Sequence, residues 1–265
     1  MTIFDEMADL VEHHYVLEAD AARYAGLLRQ HSAELAALVP DRDAVNARIH
    51  QLIPDRHLSL RAATVQAPAP RPPAAGIAGV QRRLDGIAVV TISPYLDDAD
   101  RAETCIDAMC ALVAGAERLV IDLRACGGGD TDTIAMIHGW LLGAEPVLLG
   151  WFEHRHQPTV DYLSRPRTLA YDGPVDILTS HRTFSGGEDL AYVLQANGRA
   201  RVIGERTGGG AHPVERFTLA DGLICQIPVA RSVIARTGGN WEGVGVAPDV
   251  PCAADEALQV AGAAG

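Results

Sequence analysis

Apolar residues recur every three or four positions through the first fifty residues, which is the spacing of one face of a helix. Ile3 and Met7 begin this pattern, and Ile49 and Leu52 end it. Residues 1–54 therefore predict a small N-terminal bundle of three short amphipathic helices.

Predicted N-cap residues and a proline divide this region into separate helices. Asp20 and Asp41 are predicted N-caps, and Pro40 separates two helices. Residues 55–76 predict a short strand, at 58–65, followed by a linker at 67–76, where four of ten residues are proline. This linker is the best candidate for a domain boundary.

Beyond residue 77 the pattern alternates between strands and helices. Asp85-Gly86 and Asp221-Gly222 each lie between apolar runs and predict two hairpins. The predicted helices are 98–114, 131–142 and 186–196, and the predicted strands between them are 119–123, 147–151, 175–179 and 201–204. This order favours an α/β domain over 77–265, with a parallel or mixed sheet covered on both faces.

Composition narrows the class of protein. Of the 265 residues, 48% are hydrophobic and 21% are charged, so a sizeable core can form. The net charge of -12 argues against nucleic-acid partners and anionic membrane surfaces. No run is long enough to span a membrane, and the acidic N-terminus does not resemble a signal peptide. With five scattered cysteines, best interpreted as reduced thiols, we expect a cytoplasmic protein.

Ser185 is the first candidate nucleophile. It follows the apolar run 175–178 and lies where a helical pattern begins, so free N–H groups at the start of that helix could stabilise an oxyanion. The Ser185-Gly-Gly-Glu188 spacing also fits a capping box, and a purely structural serine stays an alternative. Because the chain contains no lysine, a serine-lysine mechanism is excluded and the base is most simply a histidine.

A second loop could contribute to the same chemistry. Asp122-Leu-Arg-Ala-Cys-Gly-Gly-Gly129 follows a buried strand and precedes a helix, so its glycines expose N–H groups that can bind an anion. In this interpretation the N–H groups of Gly128 and Gly186 form an oxyanion hole. A simple tight turn is the alternative, and Asp122 and Arg124 are expected to fix the turn rather than react.

The ten histidines and the acidic residues offer the remaining groups. His57, at the start of a strand, and His212, beside a glycine-rich loop, are the candidate bases. Glu242 lies in the loop Asn240-Trp-Glu-Gly-Val-Gly-Val-Ala-Pro-Asp249 and is either a functional acid or an exposed loop residue. No pattern typical of a metal site is present, so neither a metal nor a cofactor is expected.

Four motifs occur in an order that resembles a known family: the Asp122–Gly129 turn, Thr183-Phe-Ser-Gly-Gly-Glu188, Gly204-Glu-Arg-Thr-Gly-Gly-Gly-Ala-His-Pro213 and Glu242-Gly-Val-Gly-Val-Ala-Pro-Asp249. Together they are similar to the C-terminal-processing, or tail-specific, serine peptidases. The branch with tricorn-protease cores and interphotoreceptor retinoid-binding modules is the nearer one. The resemblance implies a mixed, crotonase-like ββα sheet core beside an N-terminal helical bundle.

The resemblance also implies roles for individual residues. The nucleophile falls on Ser185, the base on His57 within Asp55-Arg-His57, and the acid on Glu242. Gly210 stands where the processing proteases have lysine, and Cys126 stands where asparagine is common. The interval from His57 to Asp122 is too short for the substrate-binding PDZ domain of the processing proteases, so recognition of a protein tail by such a domain is not expected.

The leading hypothesis is a serine hydrolase, and more narrowly a peptidase, that cleaves a peptide or related acyl substrate through an acyl-enzyme. Two alternatives stay open: a non-hydrolytic binding protein for a hydrophobic small molecule, and a hydrolase of a small metabolite. The sequence leaves homo-oligomerisation open and does not define the substrate.

Overall fold

The computed structural model describes residues 2–62 and 71–263. Contacts between Cα atoms group the chain into two compact units. The first unit consists of 1–69, 152–160 and 212–232, and the second consists of 70–151, 161–211 and 233–265. Part of the predicted strand at 58–65 and part of the predicted linker at 67–76 lie outside the described residues.

Helices form most of the first unit. Within residues 2–62 there are four of them, not the three that the periodicity predicted: α1 (Ile3–His14), α2 (Glu18–Gln30), α3 (Ser32–Leu38) and α4 (Arg42–Leu52). The extra break lies at His31, where the backbone leaves helical geometry. Asp41 caps α4 as predicted, by accepting the N–H groups of Asp43 and Ala44. The prediction for Asp20 was wrong, because α2 begins earlier and Asp20 lies in its first turn.

A three-stranded antiparallel sheet completes the first unit. It joins β1 (Ser59–Arg61), β9 (Val214–Thr218) and β10 (Ile224–Pro228) in the order β1-β10-β9. β9 and β10 form the second predicted hairpin. Their apolar side chains share one core with the helices, and that core includes Phe4, Met7, Leu28 and Ile227. Burial of this shared face is the main force that holds short helices of this kind in place.

The second unit is built on a mixed sheet. Its six described strands are β2 (Ile77–Arg82), β3 (Ile87–Ile92), β4 (Arg118–Asp122), β7 (Val175–Thr179), β8 (Arg201–Gly204) and β12 (Val250–Pro251). They run in the order β12-β8-β7-β4-β3-β2. All neighbouring strands are parallel except β2 and β3, which form the predicted hairpin around Asp85-Gly86. The prediction of a mixed α/β fold is confirmed.

Helices connect the parallel strands of this sheet, as parallel topology requires. They are α5 (Ala99–Val113), α6 (Thr131–Leu142) and α7 (Gly186–Ala196), with α8 (Ala257–Ala263) after β12. Parallel strands β4 and β7 are neighbours, so the loops that follow them emerge at the same edge of the sheet. In open α/β sheets this carboxyl edge is the usual place for a functional site.

Three further strands form a separate sheet in the order β11-β5-β6. They are β5 (Leu148–His154), β6 (Val160–Leu163) and β11 (Ala230–Ile234). The chain passes from one unit to the other within or beside these strands. The sequence predicted a strand at β5 but gave no sign of β6.

Candidate active site

Ser185 lies at the turn between β7 and α7, and its backbone has φ +51° and ψ -121°. An L-residue with positive φ is uncommon, and outside the left-handed helical region it is strained. Such strain is typical of a serine that is presented at a sharp strand-to-helix turn. The helix that follows directs its N-terminal N–H groups and the positive end of its dipole toward this turn.

The loop after β4 holds the serine turn in place. The Thr183 hydroxyl donates to the carbonyl of Leu123 at 2.8 Å, and the Phe184 N–H donates to the carbonyl of Cys126 at 3.0 Å. Asp122 accepts three hydrogen bonds from the backbone and side chain of Arg124, which fixes the start of the same loop. The two loops therefore form one rigid assembly at the carboxyl edge of the sheet.

Two backbone donors lie beside the serine. Within residues 71–263, the N–H groups of Gly128 and Gly186 have no hydrogen-bond acceptor. A Cβ atom built on Gly128 would lie 2.9 Å from the Ser185 Cβ and 3.0 Å from the Gly186 nitrogen, so the three residues are immediate neighbours. Only glycine fits this position, because its φ is +119° and the space is filled. The pair has the composition of an oxyanion hole.

Glu188 connects the serine turn to a second glycine-rich loop. Its carboxylate is fully buried and accepts four hydrogen bonds. The donors are the Ser185 N–H at 2.8 Å, the Thr207 hydroxyl at 2.5 Å, the Gly209 N–H at 2.6 Å and the Gly210 N–H at 2.8 Å. Burial raises the pKa of Glu188 above its usual range, and these donors oppose that rise.

We expect Glu188→Gln to lower the free energy of unfolding by roughly 2–3 kcal/mol, since an amide nitrogen would replace one acceptor oxygen and face N–H donors. The strained Ser185 backbone would relax, so turnover should fall as well. Urea denaturation measures the first effect. Glu205→Gln is the matched control, because Glu205 is partly exposed and its carboxylate bonds at the surface with His181 and with the Ala254 N–H. A loss no greater in Glu188→Gln than in Glu205→Gln would contradict this role.

Glu242 binds Ala211, the residue that follows Gly209 and Gly210 in the second glycine-rich loop. Its carboxylate accepts the Ala211 N–H at 2.5 Å, while the neighbouring Trp241 indole donates to the Gly210 carbonyl at 2.7 Å. The N–H groups of residues 209–211 thus point to two carboxylates, those of Glu188 and Glu242. Glu242 is therefore a fixed, half-buried acid and not the freely exposed loop residue that the sequence left as an alternative.

The two candidate bases belong to the first unit, where both contact one buried carboxylate. Asp55 accepts hydrogen bonds from the Tyr15 hydroxyl at 2.7 Å and the His57 backbone N–H at 2.9 Å. It also contacts Nδ1 of His212, at 3.4 Å. His57 and His212 are only 5% and 4% exposed. Asp55 therefore fixes the backbone of His57 and the ring of His212.

Burial and neighbouring charges set the protonation of this group. Burial lowers the pKa of His57 to about 4; the charge of Asp55 opposes this shift, whereas His212 adds to it. Burial also raises the pKa of Asp55, but the hydrogen bond and charge of His212 outweigh that effect and the pKa is lowered. His57 is consequently neutral at pH 7, as a general base requires.

The structure thus brings Ser185, Gly128 and Gly186 together in the second unit, with Glu242 held beside a neighbouring loop. His57 and His212 lie together in the first unit. Sequence reasoning did not assign roles to Asp55 or to the side chain of Glu188. The spacing Asp55-x-His57 and the capping-box spacing of Glu188 were the available signals. Cys126 is not a competing nucleophile, because burial raises the pKa of its thiol to about 11.

The mixed α/β core thus carries a strained serine turn at the carboxyl edge of its sheet. The sequence also places the chain in a family. Residues 86–252, more than half of the chain, match the model of Peptidase family S41. The chain belongs to this family. The predicted relationship to the C-terminal-processing serine peptidases is confirmed.

Two relatives are carboxyl-terminal-processing proteases. The protein of Picosynechococcus sp. is 32% identical over 117 residues, which are 44% of this chain and 28% of that protein. The protein of Synechocystis sp. is 31% identical over 118 residues, with 44% and 27% covered. The matched stretch therefore spans less than a third of either relative.

Solved structures share the fold over nearly the whole chain. A candidate peptidase from Parabacteroides merdae superposes with a TM-score of 0.71 at 17% identity, covering 98% of this chain and 95% of that one. The tricorn protease superposes with a TM-score of 0.62 at 16% identity. This superposition covers 97% of this chain and 35% of the tricorn chain. In the described part of the chain, no helix combines the length and apolarity needed to cross a membrane.

Proposed function

We propose that this chain is a serine peptidase that cleaves peptide bonds through an acyl-enzyme. Membership of family S41 supports the reaction class. The observation that carries the proposal is the strained Ser185 turn, flanked by the two N–H groups of Gly128 and Gly186 that lack acceptors within residues 71–263. During acyl transfer a negative charge develops on the carbonyl oxygen of the substrate. The two buried N–H groups beside the nucleophile are explained if they donate hydrogen bonds to that oxygen.

In this proposal the Ser185 oxygen attacks the carbonyl carbon of the scissile peptide while His57 takes the hydroxyl proton. The carbonyl oxygen becomes an oxyanion and accepts hydrogen bonds from Gly128 and Gly186. The tetrahedral intermediate then collapses, the C–N bond breaks, and His57 returns the proton to the leaving amine. Water attacks the resulting ester by the same path and restores the serine. Glu242 is proposed to orient the imidazole and stabilise its charged form.

A fluorophosphonate probe tests the proposal directly, because it reacts with serines that are activated as nucleophiles. We expect one adduct per chain, located at Ser185 by peptide mass spectrometry. Prior denaturation in urea is the control and should abolish labelling, since activation depends on the folded site. An unmodified protein, or an adduct on a different serine, would contradict the proposal.

The substrate proposal is a peptide or related acyl compound, and the relatives named carboxyl-terminal-processing proteases support the peptide class. The net charge of -12 supports our expectation that nucleic acid is not a partner. The cytoplasmic location stays a prediction from the sequence, and homo-oligomerisation stays open.

A further inference from the structure

A buried histidine–aspartate pair joins helices α6 and α7 of the second unit. Nε2 of His138, on α6, lies 2.6 Å from Oδ1 of Asp189, near the start of α7. His138 is fully buried and Asp189 is 8% exposed. Because a carboxylate accepts hydrogen bonds, the histidine ring donates from Nε2. Neither residue takes part in the reaction steps proposed above.

The second ring nitrogen of His138 is the unusual feature of this pair. Among the described residues, no group forms a hydrogen bond with Nδ1, although this nitrogen is buried. A buried polar atom without a partner lowers stability, whereas two apolar side chains of similar volume would pack here without that cost. Stability alone therefore does not account for the pair, and an unsatisfied buried group of this kind calls for another explanation.

Tyr162 of β6 contacts the same carboxylate from a third element. Its hydroxyl donates to Oδ1 of Asp189 at 3.3 Å, and its ring meets the His138 ring edge-on, with centres 6.4 Å apart. Burial and the charge of Asp189 raise the pKa of Tyr162, so the hydroxyl stays protonated and remains a donor. Two donors from two elements thus hold one oxygen, which fixes the position of the Asp189 side chain.

The backbone of Asp189 connects this pair to the serine turn. Its N–H donates to the Ser185 carbonyl oxygen at 3.0 Å, and the Glu188 N–H donates to the same oxygen at 2.8 Å. Asp189 is therefore bonded to Ser185 through its main chain and to His138 through its side chain. A displacement of Asp189 would move the residue that carries the nucleophile.

Helix α6 meets the start of α7 at a second point. Ile134 lies one turn before His138 on α6, so the two side chains share a face of the helix. A Cβ atom built on Gly186 would overlap Cδ1 of Ile134, so this side chain packs directly on the first residue of α7. The face of α6 thus contacts α7 at Gly186 and at Asp189, and the loop that contains Gly128 leads into the same helix.

We propose that His138 and Asp189 are positioning residues that set the separation of the two oxyanion-hole N–H groups, those of Gly128 and Gly186. Helix α6 follows the first donor and α7 begins with the second, so a hydrogen bond between the helices fixes one donor relative to the other. Apolar packing allows small shifts along a helix, whereas a hydrogen bond defines one alignment. This inference rests on the proposed function of the Ser185 site.

The variant His138→Leu tests the inference, because it removes the donor and keeps a similar volume. We expect kcat on a fluorogenic peptide to fall on the order of 10²-fold while KM stays within a few-fold, since misplaced donors affect the transition state most. His138→Gln can donate to Asp189 from its amide nitrogen and should recover kcat to within about 10-fold of the wild type. Tyr162→Phe keeps the fold more safely and should lower kcat by a smaller factor, roughly 3- to 10-fold.

Asp176→Asn is the matched control for a purely structural effect. Asp176 is also buried in the second unit, where it pairs with Arg118 and Arg201, and it has no proposed part in catalysis. Urea denaturation should show that both Asp176→Asn and His138→Leu are destabilised, but kcat of Asp176→Asn should stay within a few-fold of the wild type. Equal losses of kcat in these two variants, or no gain from glutamine over leucine at position 138, would overturn the inference.

Hydrogen exchange gives a readout that needs no turnover. In His138→Leu the amides of Glu188 and Asp189, which donate to the Ser185 carbonyl, should exchange at least about 10-fold faster, beyond any change in β4 and β7. Unchanged protection of these two amides would overturn the inference even in a chain that cleaves no peptide. Labelling of Ser185 in the wild type reports separately on the proposed function, so the failures of the two proposals are distinguishable.

Discussion

Replacing Ser185 with alanine is expected to lower kcat on a responsive peptide by on the order of 10⁶-fold, as for nucleophiles that act with a base and an oxyanion hole. Substrate affinity should change little, because the Ser185 hydroxyl is proposed to react with the substrate and not to contribute to its binding. The residual rate should still exceed that in water, since the N–H groups of Gly128 and Gly186 are unaffected. Steady-state kinetics with a fluorogenic peptide measures both parameters.

Ser164→Ala is the matched control for this experiment. Ser164 is also buried in the second unit, but its hydroxyl accepts the Val147 N–H at 2.9 Å and has no proposed part in catalysis. Its kcat should stay within a few-fold of the wild type. Circular dichroism should show both variants folded, and wild-type turnover in Ser185→Ala would end the proposed mechanism.

The elements around the serine were predictable because local signals agree there. Helices α6 and α7 have the predicted bounds. Each combines a strong apolar pattern with a defined start: the Asp130 carboxylate accepts the Thr133 N–H, and glycines precede or begin both helices. The two hairpins were likewise predictable from Asp-Gly pairs between apolar runs. Where propensity, pattern and capping coincide, a single sequence defines the element.

Pairings between distant segments could not be predicted. β1 is three residues long and gains its hydrogen bonds from β10, which lies far along the chain. β6 has a mixed pattern of exposed and buried residues that gives no period. Local sequence does not show which surfaces meet, so the association of residues 212–232 with the N-terminal helices had no signal.

The site divides in the same way. Ser185 and the glycines were predictable because strand, turn and helix follow one another within a few residues. The four donors to Glu188 come from Ser185 and from residues 207–210, so only the capping-box spacing was visible beforehand. The Asp55–His212 contact joins residues that no local pattern relates. The sequence therefore indicates Asp55 only as part of the Asp55-Arg-His57 motif, without a role of its own.

Comparison of His57→Ala with His212→Ala is expected to identify the base. If His57 is the base, its removal should lower kcat by at least about 10⁴-fold, because no other group would take the serine proton. His212→Ala should cost far less, roughly 10²-fold or below, since His212 would act only through the charge and position of Asp55 and His57. Kinetics of both variants on the same peptide measure the difference.

The pH profile gives a second and independent readout. His57 must be neutral to accept a proton, and its pKa is about 4, so wild-type kcat/KM should stay high as the pH falls and decline only near pH 4. The charge of His212 helps to lower this pKa, so His212→Ala should raise it. The acid limb of that variant should therefore move to higher pH, whereas the residual activity of His57→Ala should lack this limb.

The opposite result for the two histidine variants would identify a different base. Loss of activity in His212→Ala, with activity retained in His57→Ala, would make His212 the base and the Asp55–His212 contact its orienting pair. A wild-type acid limb near pH 6.5, the ordinary value for histidine, would likewise point away from the strongly shifted His57. Asp55→Asn separates these cases further. If His57 is the base, removal of the Asp55 charge lowers its pKa and the acid limb moves to lower pH, because that charge raises the pKa of His57.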